Sequence, residues 1–278
     1  MTTSKENLSG KTLFISGASR GIGLAIALRA ARDGANIIVA AKTTEPNPKL
    51  AGTIFSAAAE IEAAGGQALP LVCDVRFPEQ IKSAIDAGVA RFGGIDILVN
   101  NASAIDLSPT LAIDPKRYAL MQAINRDGTF YASRFALEHL RKGRNPHILT
   151  LSPPLTHMAK WLGIFPAYAS SKFGMSLITQ ALAGEQRKAG IGVNSLWPRT
   201  LIATAAVAHF EGGADKIAHS RKPEIVADAA YAILTRDSRV CTGNFFIDDL
   251  VLAEEGITDL SDYAVTPGLE PYKDIFLD

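Results

Sequence analysis

The chain has 278 residues, 47% hydrophobic and 20% charged, which suits a globular body with a sizeable core. Its 28 basic and 28 acidic residues cancel, so no net charge calls for nucleic acid or an anionic membrane. Cys73 and Cys241 lack metal-ligand spacing, Met1 to Lys11 holds no secretory apolar run, and no apolar stretch reaches transmembrane length. Neither a metal site nor membrane insertion is expected. The two cysteines read as buried free thiols, and the default compartment is the cytoplasm.

Thr12 to Ser16 reads as a strand buried on both faces. Gly17-Ala18-Ser19-Arg20-Gly21-Ile22-Gly23 follows, and Leu24 to Asp33 reads as a helix closed by Gly34. Strand, glycine-rich turn and helix together form the context of a dinucleotide site. Glycines let the backbone approach a pyrophosphate, and the helix start supplies amides and a positive dipole end. The spacing is G-x-x-x-G-x-G, not the usual G-x-G-x-x-G.

Asn36 to Ala41 is the second strand, followed by Lys42. An NAD site usually has a carboxylate here for the ribose 2′-hydroxyl, and this strand end has none. Lys42 and Arg20 instead suit a 2′-phosphate, so NADP is expected over NAD. Thr43 to Lys49 reads as a loop. Further helices are expected over Ile54 to Ala64 and Pro78 to Phe92, with one long helical stretch over Pro115 to Lys142. Further strands are expected over Ala68 to Cys73, Ile95 to Val99, His147 to Leu151, Ile191 to Leu196 and Asn244 to Ile247. Alternating strands and helices predict an α/β fold with one domain over residues 1–278. The sheet would be doubly wound, seven-stranded and parallel, with helices on both faces.

In the helix expected from Phe165 to Lys188, Tyr168 and Lys172 are four residues apart. Such residues share one helix face. An ammonium at ~4 Å, at an effective dielectric of ~20, favours a phenolate by roughly 4 kcal/mol before desolvation. That brings the phenol towards neutrality and makes Tyr168 a candidate acid or base at a carbonyl or hydroxyl oxygen.

Taken together, Ser16-Gly17-Ala18-Ser19-Arg20-Gly21-Ile22-Gly23, Asp74-Val75, Asn100-Asn101-Ala102, Asn125 and Tyr168-x3-Lys172 give a resemblance to the classical short-chain dehydrogenases/reductases. It runs from about residue 10 to 250, leaving 251–278 as a C-terminal extension. Within that family the chain is similar to the hydroxysteroid dehydrogenase-like protein 2 group. The residues that suggest it are Ala41-Lys42-Thr43, Pro48-Lys49-Leu50, Leu151 to Leu155, Leu196-Trp197-Pro198 and Thr242-Gly243-Asn244-Phe245. Longer members of that group carry a sterol-carrier domain, for which this chain has no room.

The resemblance implies a Rossmann fold and a set of roles. Tyr168 would be the general acid/base. Lys172 would bind the nicotinamide ribose and lower the Tyr168 pKa. Asn125 would hold a relay water, Asp74 and Val75 would face the adenine, and Asn101 would lie along the cofactor. The family's usual serine slot, thirteen residues before the tyrosine, holds Leu155, and alignment of the strand end puts the slot on Pro153. Adjacent Ser152 either positions the substrate oxygen or merely ends the strand. Catalysis would otherwise rest on Tyr168 and Lys172 or borrow the Thr156 hydroxyl. Trp197-Pro198-Arg199 stands where the family usually has Pro-Gly, so Arg199 either meets an anionic group or points to solvent.

Leu107, Leu155, Met158, Trp161, Leu162, Phe165 and Trp197 fall in loops expected at the sheet's carboxyl edge. They suggest an apolar pocket for a small carbonyl or alcohol substrate. The leading reading is an NADP-dependent oxidoreductase. The alternative is a nucleotide- and lipid-binding module with weak or lost reductase activity. Met121, Ile124, Phe130, Tyr131, Phe135 and Leu137 on the long helix, with Met175, Leu177, Ile178 and Leu182 on the helix after Tyr168, exceed one sheet-facing stripe, which suggests a homodimer or homotetramer.

Overall fold

The computed structural model describes residues 7–47, 51–155 and 158–277. Pro48, Lys49, Leu50 and Thr156, named above, lie outside the described residues, as does the Met158 side chain.

The strands are β1 (Thr12–Ser16), β2 (Asn36–Ala41), β3 (Gln67–Val72), β4 (Ile97–Asn100), β5 (His147–Leu151), β6 (Gly192–Trp197) and β7 (Phe245–Ile247). They form one sheet in the order β3-β2-β1-β4-β5-β6-β7, with every neighbouring pair parallel. Successive residues of a strand face opposite sides. Leu13, Ile15, Ile37, Val39, Ile97 and Val99 therefore enter one core, and Phe14, Ile38, Leu98 and Ile148 enter the other. Both faces are covered, which is why these strands are continuously apolar. Pro70 sits in β3, an edge strand, where a missing backbone donor is tolerated.

The helices are α1 (Gly21–Ala31), α2 (Ile54–Ala63), α3 (Pro78–Phe92), α4 (Pro115–Met121), α5 (Gly128–Leu140), α6 (Met158–Ile164), α7 (Pro166–Gln186), α8 (Ala205–Ala208), α9 (Gly213–Ala218), α10 (Glu224–Leu234) and α11 (Asp248–Glu254). Side chains of α1, α2, α10 and α11 fill the first core, and those of α3, α5 and α7 fill the second. The polypeptide reverses strand order beside β1, so loops on either side of that point open a crevice at the carboxyl edge.

The stretch expected as one helix from Pro115 to Lys142 is helical but not uniform. A π turn over Gln122–Asp127 separates α4 from α5, and it carries Asn125. Such turns place an extra residue in the helix and favour functional positions. The apolar excess expected to mark an interface is mostly absorbed by this chain's own core. Met121, Met175 and Leu182 are buried, and Ile124, Tyr131, Phe135, Leu137 and Ile178 pack against the second core. Phe130 (46% exposed) and Leu177 (54%) remain on the surface.

Cys73 and Cys241 are buried free thiols. Among the described residues no helix is long and apolar enough to cross a membrane, and no cluster of His, Cys, Asp or Glu could hold a metal.

Candidate active site

The cofactor side begins where β1 ends. Gly17 has φ 68, in the left-handed region, and a Cβ there would lie 3.0 Å from Ala102 Cα. On Gly23 a Cβ would lie 2.5 Å from Asn101 Nδ2 and 2.7 Å from Gly17 O. The glycine turn is therefore pressed against the segment after β4. Asn101 Nδ2 donates to Ser16 O (2.9 Å) and Gly17 O (3.1 Å), and Ser16 Oγ accepts from the amides of Asn101 and Ala102. Ala18 and Ser19 are buried in the turn, and Ile22 packs against the first core.

Arg20 is the N-cap of α1, extended at φ −170, and no side chain caps the helix. The first amides of α1 thus lack a capping partner and sit at the positive dipole end, which fits a pyrophosphate. The Arg20 guanidinium donates to Gly52 O at 2.5 Å, while its Nε is buried without a partner and burial lowers its pKa. Lys42 follows β2 on the exposed surface. Asp74 takes a bidentate contact from Arg76, and its backbone amide donates to Gln80 Oε1. Burial would raise the Asp74 pKa, but the Arg76 bonds and nearby Lys42 hold it below its ordinary value. Val75 packs beneath Gly128 at the start of α5. The residues present fit a dinucleotide with a negatively charged pyrophosphate.

The catalytic side is built on α7. Tyr168 (5% exposed) and Lys172 (2%) lie one turn apart, both buried. Lys172 Nζ donates to Leu151 O at the end of β5 (2.6 Å) and lies 5.0 Å from the Trp197 ring. Ser176 Oγ donates to Pro153 O (2.6 Å), so α7 holds the strand end on both sides of Ser152. Ser152 itself is fully buried, and its Oγ has no hydrogen-bond partner. The hydroxyl that lies near the Tyr168 phenol belongs to Ser103, which is itself exposed. Nothing in the local sequence pattern pointed to Ser103, because it comes from the segment after β4.

Asn125 explains how that segment is held. Its Oδ1 accepts from Ala104 N (2.8 Å), and its Nδ2 donates to Ala104 O (2.9 Å) and Ser171 Oγ (2.8 Å). Ser171 Oγ in turn donates to Tyr168 O. One buried carboxamide thus locks the Ser103 segment to α7. Arg199, after β6, is half-buried and meets a carboxylate of its own chain. Its Nε pairs with Asp249 Oδ2 at 2.9 Å.

Leu107, Leu155, Trp161, Leu162, Phe165 and Trp197 gather with Met121, Tyr168 and Phe173 in a third apolar cluster, as the apolar pocket requires. Its centre is filled by Phe276, which is fully buried. The Phe276 ring lies 5.1 Å from Phe173, 5.6 Å from Trp197, and 5.7 Å from both Trp161 and Tyr168. The extension after residue 250 therefore reaches the centre of the site. A shallow hollow lined by Leu71, Val72, Glu79 and Gln80 lies at the β3 edge of the sheet, away from Tyr168.

This packing corrects the expected electrostatics. The Tyr168 pKa is raised, not lowered, chiefly by burial and also by the nearby Asp274 charge; the Ser103 bond opposes them. Burial pulls Lys172 down to about 7, with Asp274 opposing. Asp274 is itself pushed up to about 7 by burial. The simple Coulomb argument omitted desolvation, which dominates here.

The comparisons with known proteins agree with this architecture. The model of the short chain dehydrogenase family matches residues 11–212. Hydroxysteroid dehydrogenase-like protein 2 of Xenopus laevis is 53% identical over 279 aligned residues, which cover all of this chain and 66% of the relative. The protein of the same name from Rattus norvegicus is 53% identical, and the chain spans 52% of its length. A putative dehydrogenase from Xanthomonas campestris has a crystal structure similar to this one. Its TM-score is 0.94 at 54% identity, over 98% of this chain and all of that one. With the glycine turn, the seven-stranded parallel sheet and the Tyr168–Lys172 pair in place, this chain belongs to the short-chain dehydrogenase family.

Proposed function

We propose that the protein is an NADP-dependent oxidoreductase acting on an apolar carbonyl or alcohol, with Tyr168 as its general acid/base. The observation that carries this reading is the buried Tyr168–Lys172 pair at the sheet edge where the bare α1 amides and the apolar cluster meet. The nicotinamide, when bound, supplies or accepts the hydride. The chain's own task is to bind, to orient and to move one proton.

Gly17, Ala18, Ser19, Arg20, Gly21, Ile22 and Gly23 would cradle the pyrophosphate, with Asp74, Val75 and Asn101 along the adenosine half. Lys42 and Arg20 would take the 2′-phosphate, for which charge-assisted bonds are strong. At the reacting oxygen, the Tyr168 phenol would give up or receive the proton while Ser103 orients it. Lys172, anchored on Leu151 O, would favour the phenolate once the site is hydrated. Asn125 acts by positioning, since its carboxamide is engaged with Ala104 and Ser171. Ser152 keeps the alternative role of substrate-orienting hydroxyl. Copies of the chain would associate as dimers or tetramers through the exposed Phe130 and Leu177 of α5 and α7; sedimentation would show a monomer if they do not.

The test is kinetic. With 2-decanone as substrate and saturating NADPH, Ser103→Ala should lower kcat/KM by about a hundredfold, as loss of an oxyanion-type donor does. Ser152→Ala should change it only a few-fold, because its hydroxyl bonds to nothing. The reverse order would return the role to Ser152. Fluorescence titration should show tighter binding of NADP than NAD, and equal affinities would refute the 2′-phosphate reading.

A further inference from the structure

The segment from Ala264 to Leu277 crosses back over the substrate side of the sheet. Several bonds hold it there: Val265 N donates to Ser220 O (3.0 Å), Tyr272 N to His219 O (2.8 Å) and Tyr272 Oη to Asp215 Oδ2 (3.0 Å). Tyr272 O accepts from Leu201 N (2.9 Å), Asp274 N donates to Arg199 O (3.0 Å), and Ile275 O accepts from Trp197 Nε1 (2.9 Å). Thr200 with Lys273 and Arg221 with Ala264 form isolated antiparallel bridges. At its end the Phe276 ring enters the aromatic slot between Trp161, Phe173 and Trp197 and covers Tyr168, stacked at 27°. The ring thus covers one face of the Tyr168 side chain.

Three features make the segment an imperfect occupant. Phe276 has φ 70, a conformation bulky L residues rarely adopt, so tertiary contacts hold it against its own backbone preference. Asp274 brings in a half-buried carboxyl without an ion-pair partner within 4 Å among the described residues. Two buried polar atoms around the site, Trp161 Nε1 and Ser152 Oγ, find no partner. The slot is satisfied in its apolar part and unsatisfied in its polar part, as expected where another molecule can compete.

We propose that residues 272–277 are a displaceable occupant of the substrate slot, that an apolar carbonyl compound takes the space of the Phe276 ring, and that Phe276 thereby sets which substrates enter. This rests on the oxidoreductase reading for the identity of the ligand. The segment selects against small carbonyls, which bury too little apolar surface to displace an aromatic ring. Longer ones replace the ring's contacts and add a carbonyl oxygen for Ser103 and Tyr168. The apparent affinity of any substrate is reduced by the fraction of time the slot is closed.

Trp161 and Trp197 are the chain's only tryptophans, and both touch Phe276. Their emission therefore reports on the slot directly. The wild-type protein loaded with NADP in its oxidised form cannot reduce a ketone, so binding is read without turnover. Adding 2-decanone should change the tryptophan emission saturably and raise hydrogen exchange of residues 266–277, whereas acetone should do neither. Phe276→Ala should bind 2-decanone about tenfold more tightly, the closed fraction having been removed. Ketone binding with unchanged or increased protection of residues 266–277 overturns the proposal, as does a ketone that binds neither protein. Displacement without reduction in the presence of NADPH would keep the slot assignment and refute the oxidoreductase reading. Reduction without displacement would do the opposite.

Discussion

The two halves of the crevice are organised differently. On the cofactor side, β1, the glycine turn and α1 are consecutive in the chain, and the turn leaves its helix amides bare. On the substrate side, Met121, Tyr168, Trp197 and Phe276 arrive from four distant segments and pack until Tyr168 is 5% exposed. One half is a preformed anion cradle that needs a ligand to complete it. The other has its apolar part already filled by the chain's own aromatic ring. Short-range geometry suffices to bind a phosphate through backbone amides. An apolar slot has no such local device and is made only by convergence of side chains.

Removing the proton carrier should have the largest effect. Tyr168→Phe should lower kcat/KM for 2-decanone by about a hundredfold or more, the usual worth of general acid catalysis, with NADP affinity unchanged. A variant retaining a tenth of the activity would break the division of labour between the two sides.

Crowding the other side should come next. An alanine Cβ at position 23 meets Asn101 Nδ2 at 2.5 Å and Gly17 O at 2.7 Å. Gly23→Ala should therefore cost NADP binding about 1–3 kcal/mol, the usual penalty of overpacking. The tryptophan emission of the free protein should stay as in the wild type. A changed emission would show that the two halves are mechanically coupled.

The smallest effect is a pH dependence of the closed slot. Asp274 has its pKa raised from 3.8 to about 7 by burial, so its contribution is complete below about 4 and is lost as pH rises through about 7. Lys172 is lowered from 10.5 to about 7, so its contribution is present above 10.5 and is lost as pH falls through about 7. The two trends oppose each other, and slot closure in the wild type should vary little with pH. Asp274→Asn removes the opposing trend above about 6, leaving Lys172 there and Asp248, whose pKa burial raises to about 6, below it. Its tryptophan emission should then move steadily towards the buried, blue-shifted position as pH rises from about 6 to 9. A flat profile in that variant would remove Lys172 from the account.

The sheet and the cofactor elements were legible because they rest on short regularities. The bounds of β1, β2, β5 and α3 agree with the expected ones, since apolar runs and the Pro78 start mark them locally. The π turn was not legible. Its residues have ordinary helical propensity, and the partners of its Asn125, Ala104 and Ser171, come from other segments of the chain. The departure at Trp197-Pro198-Arg199 was visible, but its meaning was not, because Asp249 and Ile275 supply the partners.

By itself the sequence determined the alternation of strands and helices, the glycine turn, the absent carboxylate after β2, and the Tyr168–Lys172 pair. Each depends on residues within one turn, one strand or one helix face, where covalent connectivity sets the geometry. Tertiary structure alone decided that Ser103 meets the phenol, that Ser152 meets nothing, and that Phe276 fills the slot. It also reversed the sign of the Tyr168 pKa shift. Desolvation depends on what covers a group, and the residues covering Tyr168 come from the far end of the chain.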